Sequence, residues 1–200
     1  MYQHPLKQAR PFNKKVISYD HKLAPMLIRN ELLSIIPANI EHIYIAGIGS
    51  NLINGDSLGP FVGTLLENIY CEHLTIIGSL QSPLDAQTLT EQISHLSFSP
   101  NSFVIAVDSV LGPKNYVNTI VIRDGALLPG EGLGQNLPAV GDCSVMGVVL
   151  EDNPALESSL FYTNLHMIYT MALTIARGIS LAVRQYFHYP LDQPILIANH

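Results

Sequence analysis

The stretch Gly47-Ile48-Gly49-Ser50-Asn51-Leu52-Ile53-Asn54-Gly55-Asp56-Ser57-Leu58-Gly59-Pro60 sets a carboxylate directly beside a hydroxyl, Asp56 and Ser57, after an apolar run. A second carboxylate, Asp108, closes the run Phe103-Val104-Ile105-Ala106-Val107, and a third, Asp142, follows a long Gly- and Pro-rich segment. Two chemistries are open to these residue types. Ser57 lies in a loose G-x-S-x-G pattern and could act as a nucleophile if a base activates it. Alternatively, two carboxylates held close between apolar walls cannot both ionise comfortably. One then keeps its proton, and the pair can serve as acid and base. Such a pair suits hydrolysis by an activated water, or the binding of a divalent metal ion at Asp56 and Asp108.

The serine chemistry needs partners that the chain does not offer in the expected places. A hydrolase of the GDSL type requires an oxyanion-hole Asn and a late Asp-x-x-His, yet no Asp here is followed three residues later by His. A triad of Ser57, Asp108 and His166 stays arithmetically open, although His166 falls near the start of a long apolar helix. A dinucleotide fingerprint would need Gly at position 52, which is Leu52, and no P-loop Lys follows. Asp56 could cap the helix that starts after it, but Pro60 would then be the fourth helical residue and cost a hydrogen bond. With Ser57 as the cap, Pro60 is the third and costs nothing, which frees the Asp56 carboxylate. Asp142 is either a turn residue or a third acid in the same crevice, and Glu131 is a weaker candidate. Gly130, Gly132 and Gly134 could let backbone N–H groups approach a substrate carbonyl, with Asn51 and Ser57 as further substrate-binding candidates.

These residues need a scaffold, and the hydrophobic periodicity supplies one. The pattern predicts a helix over 24–36, a buried strand over 42–48 and a helix presenting Leu58, Phe61, Val62, Leu65, Leu66 and Ile69 on one face. Strands over 74–79 and 103–109 follow, with a helix over 85–96 between them. This βαβαβ order implies right-handed crossovers and a doubly wound α/β sheet covered on both faces. In the common 2-1-3 strand order the first and third strands are neighbours, so Asp56 and Asp108 are expected in one crevice. A strand over 117–125 after a short connection can be antiparallel, which makes the sheet mixed. Residues 125–142 form a candidate functional loop, 143–150 a further strand, and Leu165 to about Tyr186 a long closing helix.

With 48% hydrophobic residues in a chain of 200, there is material for one well-buried core, so residues 1–200 read as one α/β domain. The first fifteen residues contain no apolar run, and 1–20 read as a loosely held arm without a secretory signal. Only ten Lys plus Arg and a net charge of −6 leave no electrostatic footprint for nucleic acid or anionic lipid. A small molecule, peptide or protein is the expected partner. The apolar segment 165–183 carries His166 and Arg177 and a helical period, which points to a packed helix and not a membrane span. Cys71 and Cys143, both in apolar runs, read as buried reduced thiols of a cytosolic protein. No cofactor is required by any motif.

Taken in order, "GIGSNLINGDSLGPFVGTLL", "VIAVDSVLG", "LPGEGLGQNLPAVGDCSVMGVV" and "NLHMIYTMALTIARGI" resemble the YyaC-type sporulation protein family over about residues 40–185. That family is related to the spore germination protease, within the hydrogenase-maturation-endopeptidase-like fold. The resemblance implies a three-layer α/β/α sandwich, a mixed and mainly parallel doubly wound sheet, and a peptidase-type site. Asp56 matches the first acid of the family's strand-one loop and Asp108 the acid ending the later strand, the proposed catalytic pair of the germination protease. The hydrogenase-maturation branch has a nickel-recognising Glu at the position of Asp56, an Asp at that of Asp108, and a His in a later loop. No His lies between His95 and His166 here. "PGEGLGQN" is similar to the germination protease's Pro-Gly-x-Gly-Val-Gly-Asn segment, from which Gln135-Asn136 departs. An endopeptidase acting on peptides or proteins, small spore proteins among them, is therefore expected in the cytoplasm, the forespore included. A homo-oligomer is compatible with that expectation. A binding module of the same fold without turnover, and a Ser57-dependent hydrolase, are the alternatives.

Overall fold

Alternation along the strands sorts the side chains onto two faces. The computed structural model describes residues 14–67, 72–95, 98–130, 137–190 and 192. Its strands are β1 (Lys14–Ser18), β2 (His42–Gly47), β3 (Leu74–Ile77), β4 (Ser102–Gly112), β5 (Thr119–Asp124) and β6 (Cys143–Glu151). They form one six-stranded sheet in the order β1-β5-β6-β4-β2-β3. The β2–β3, β2–β4 and β4–β6 pairings are parallel, while β5 runs antiparallel to both β6 and β1. The fold is thus α/β with a mixed, mainly parallel sheet, and β3-β2-β4 is the expected 2-1-3 order.

The helices are α1 (Ala24–Ile35), α2 (Leu58–Glu67), α3 (Leu89–His95) and α4 (Leu165–Tyr186). Ile43, Ile45, Phe103, Ile105 and Val107 face one way and pack with Ile28 and Leu32 of α1, Leu58, Val62 and Leu66 of α2, and the apolar stripe of α4. Each fully buried side chain of that size contributes about 1.5–3 kcal/mol, so this thick layer carries most of the stability. Ala46, Val104 and Ala106 face the other way, under a smaller cluster of Leu84, Leu89 of α3, Leu127 and Val140. The two covered faces make three layers of unequal thickness. Helix α4 is long and apolar enough to cross a membrane, but Ile168, Met171, Ala172, Ile175 and Ile179 are fully buried in the core.

Residues 14–18 depart from the expected loose arm. Lys14–Ser18 pairs with β5 in register from Lys14 opposite Arg123 to Ser18 opposite Thr119. Ile17, 3% exposed, enters the thick core and gives this edge strand its hold. The two lysines masked a strand whose inward residue is apolar. Residues 1–13 and Cys71 lie outside the described residues. Strand β6 inserts between β4 and β5, so the short 112–119 connection joins strands that are not neighbours. Residues Pro154–Tyr162 form a 3-10 helix started by Asn153, whose side chain accepts from the Ala155 N–H.

Helix α2 crosses close over the turn after β3, and glycine permits it. A Cβ at Gly63 would stand 1.9 Å from the Gly78 carbonyl oxygen, a backbone atom that cannot swing aside. Gly63→Ala is therefore expected to destabilise the protein by about 1–3 kcal/mol, read as a lower urea midpoint with unchanged slope. An unchanged midpoint would show that α2 does not press on the sheet in this way.

Candidate active site

The site begins where β2 stops and β4 continues. The last pair between them is Gly47 opposite Val107, and the Ile48 N–H then donates to the Val107 carbonyl at 2.8 Å. Strand β4 was expected to end at about Ser109, with Asp108 at its tip. It runs instead to Gly112, paired only with β6, with a register shift between Val110 and Leu111. Asp108 consequently sits inside a strand that has lost one neighbour, with Met146 opposite it on β6. The chain leaving β2 folds back over that gap. Gly49 has φ +133°, and a Cβ there would meet the Asp56 carbonyl oxygen at 2.0 Å, so only glycine fits.

Asp56 ends a 3-10 turn, Asn54–Asp56, and α2 starts at Leu58. The Ser57 carbonyl accepts the first helical bond, from the Phe61 N–H at 2.9 Å. Pro60 is thus the third helical residue and loses nothing, as expected. The Asp56 carboxylate is spared capping duty, and its Oδ2 accepts from the Ser50 N–H at 2.9 Å. Two tethers hold this loop from outside. Asn51 Nδ2 donates to the Leu80 carbonyl at 2.9 Å, and Asn54 Nδ2 donates to the Thr163 carbonyl at 3.2 Å.

Asp56 and Asp108 line one pocket of about 440 Å³. Ser109, Val110 and Met146 continue its floor, Leu127, Leu128 and Gly130 form one wall, and Leu160 of the 3-10 helix closes another side. The two acids are held unequally. Burial is the largest effect on Asp56 and, with the Asp85 carboxylate nearby, outweighs the Ser50 N–H bond, raising its pKa from the ordinary 3.8 to about 6. Asp108 is only 6% exposed. Burial first, and then the charge of Asp56, push it well above the ordinary carboxylate range, against the opposing Ser109 N–H that donates to Oδ1 at 2.7 Å. The more solvated acid ionises first, and its charge then holds the proton on the deeper one. Asp56 is thus the easier of the two to ionise, and Asp108 is the one that holds its proton to higher pH.

The remaining sequence candidates scatter. Asp142 does not reach the crevice. It is exposed, and its Oδ2 accepts from the Val104 N–H at 3.0 Å, at the entry side of β4. Four strand residues, about 13 Å, separate Val104 from Asp108. The acid whose charge is felt at Asp56 is instead Asp85, whose Oδ1 accepts from the Gln87 and Thr88 N–H groups ahead of α3. Ser57 is 4% exposed, its hydroxyl donates to the Asn54 carbonyl at 2.7 Å, and it is absent from the pocket lining. His166 is exposed on the first turn of α4. Asn51 works as the tether to Leu80, and Gly130 lines the pocket. Glu131, Gly132 and Gly134 lie outside the described residues. Sequence reasoning passed over Arg123 and Leu160, both of which line the pocket. The signal for Arg123 was a lone charge on the alternate face of the strand Thr-Ile-Val-Ile-Arg.

Among the described residues no third His, Cys, Asp or Glu stands with the pair as a metal-binding group. Two carboxylates alone are a poor set for a nickel-type centre, which calls for imidazole or further charged ligands.

A family model described as "Protein of unknown function (DUF1256)" matches residues 16–178. An uncharacterized protein, YyaC of Bacillus subtilis (strain 168), is 34% identical over 173 residues, covering 86% of this chain and 84% of its own. Among solved structures, the [NiFe] hydrogenase maturation protease HycI from Thermococcus kodakarensis KOD1 aligns with a TM-score of 0.48 and 18% identity. The alignment covers 76% of this chain and 99% of that one.

The raised pKa of Asp56 has a consequence for stability. The native state binds this proton more tightly than the unfolded chain, so stability falls as pH rises from 3.8 to about 6 and then levels off. Asp56→Asn escapes this loss. The variant is expected to match wild type near pH 4 and to exceed it above neutrality by up to about 3 kcal/mol, measured by urea unfolding at the two pH values. A variant no more stable than wild type at high pH would mean that Asp56 is not strained by its burial.

Proposed function

The chain belongs to the DUF1256 family, and from that premise we propose that it is a peptidase that hydrolyses peptide bonds with the pair Asp56 and Asp108. The observation that carries this reading is the unequal burial of two carboxyl groups on one pocket, which separates their ionisation and gives each a role. The Asp56 carboxylate takes a proton from a water molecule as its oxygen adds to the peptide carbonyl carbon. Asp108 supplies its proton to the carbonyl oxygen, which becomes a hydroxyl of the tetrahedral intermediate. When that intermediate collapses, the C–N bond breaks, the proton gathered by Asp56 goes to the leaving amine, and a hydroxyl of the intermediate returns its proton to Asp108 as the C=O re-forms, restoring the starting pair.

A chain-like substrate is supported by what surrounds the pocket. Leu128, in its wall, is 50% exposed; Phe161 and Tyr162, beside Leu160, are 53% and 87% exposed; Leu52, in the loop carrying Asp56, is 85% exposed. Large apolar side chains left in water on the three segments that supply Asp56, Leu128 and Leu160 to the pocket suit the side chains of an extended or unfolded protein. The four sequence blocks that resemble the YyaC-type family support a role in spore formation, in the cytoplasm of the developing spore, with small spore proteins as the first substrates to try.

Purified protein incubated with small spore proteins and with an unfolded casein, followed by mass spectrometry, tests the proposal. Wild type is expected to cleave, and Asp56→Asn and Asp108→Asn each to lose about 100-fold or more in rate. The wild-type rate should rise with pH as Asp56 ionises near 6 and fall again where Asp108 gives up its proton. Equal cleavage by all three proteins would remove the carboxylates from the mechanism. No cleavage by any of them would leave a binding module.

A further inference from the structure

One charged group on this pocket has no part in the acid pair. Arg123 pairs with Ser144 across β5 and β6, and Ser144 pairs with Ala106 across β6 and β4. Its backbone therefore lies two strands from β4, roughly 10 Å sideways at ordinary strand spacing, and Met146 of the intervening strand, opposite Asp108, lies in the lining between them. The charges acting on Asp56 and Asp108 are other carboxylates, those of Asp85 and Asp56. The guanidinium belongs to a residue that lines the same cavity as the acids.

Its own hydrogen bonds are incomplete. Nη2 donates to the Ala126 carbonyl at 2.8 Å, across the turn made by Gly125 at φ +112°. The loop beyond is pinned by the antiparallel bridge of Leu127 with Val140. Nε is buried and has no partner among the described residues. A buried donor left unpaired on a permanent cation is costly, and native proteins rarely tolerate one without a use for it. The tether fixes the plane of the guanidinium of a residue that lines the pocket with the acids, so the group is organised before any ligand arrives. A neutral acceptor would satisfy the hydrogen bond but leave the charge uncompensated, whereas a carboxylate satisfies both.

We propose that Arg123 is the carboxylate-recognising group of this pocket, fixing an acidic side chain or the terminal carboxylate of a peptide while the bond to be broken lies at Asp56 and Asp108. The assignment of the bound molecule as a peptide rests on the peptidase reading; the capture of a carboxylate does not.

The Arg Nε–H cross peak in the proton–nitrogen spectrum of the wild-type protein reads the contact without turnover. The chain has only five arginines, at 10, 29, 123, 177 and 184. The peak is assigned by its loss in Arg123→Lys or, if that variant fails to fold, by elimination with the other four Arg→Lys variants. The probes are N-acetylisoglutamine, which carries a side-chain carboxylate alone, N-acetylalanine, which carries a terminal one alone, and neutral N-acetylglutaminamide. A shift with either acid and none with the neutral amide supports the proposal, and the acid that shifts it more identifies the source. No shift with any probe, or an equal shift with the amide, overturns it. In the cleavage assay, the preference of wild type for a glutamate peptide over its glutamine counterpart should fall about 10- to 100-fold in Arg123→Gln. An unchanged preference overturns the proposal. If the acids shift the peak but no peptide is cut, the peptidase reading fails while Arg123 keeps its role. If peptides are cut but the peak stays still, the reverse holds.

Discussion

A β-strand that outlasts its neighbour is the constraint on which this molecule turns. Because β4 continues for five residues past the last pairing with β2, Asp108 sits in an ordered strand beside a gap in the sheet. A strand holds a side chain more firmly than a loop can. The gap gives room for a cavity, and the returning loop places Asp56 over it. The desolvation of Asp108 follows from that arrangement, since the acid is buried, with Val110, Leu111 and Met146 beside it in the pocket lining.

The returning loop would be free to wander if backbone contacts did not restrain it. Three short polar links hold it: Ser50 to Asp56 within the loop, Asn51 to the turn after β3, and Asn54 to the end of the 3-10 helix before α4. Each sets a side-chain amide N–H or a carboxylate oxygen against backbone, so the loop satisfies polar groups of its own while touching two other segments. Close approach then does the rest, because Gly49 presses on the Asp56 carbonyl and Gly55 on Leu160. The acid pair is thus positioned by chain geometry, and the apolar side chains around it control only access to water.

Much of the scaffold is legible without coordinates. Helix α4 spans Leu165–Tyr186 as its three-and-four spacing requires, and Asn164 caps it by accepting from the His166 and Met167 N–H groups. The order β3-β2-β4 is the common 2-1-3 arrangement expected for the βαβαβ pattern. Pro60 fixed the start of α2 by the hydrogen bond that it cannot make. Even the exclusion of Asp142 was within reach: it precedes a parallel strand, whereas Asp56 and Asp108 follow the starts of theirs, so it belongs at the opposite edge. Other features resisted. Lys14 and Lys15 disguised an edge strand that only its partner β5 reveals, and the polar pair Asp108-Ser109 looked like a strand end because its continuation depends on β6 alone.

Local chemistry determined which residue types were available and which elements would carry them: two acids after two apolar strands, a glycine-rich return, a helix that cannot begin before Leu58. It could not determine which charges would lack a partner. Whether Asp108 is solvated, whether Arg123 joins the pocket lining, and whether Ser57 points at a base or at the Asn54 carbonyl are decided by strands and turns distant in sequence. Burial and pairing are properties of the packed chain, and an ionisable group takes its character from them.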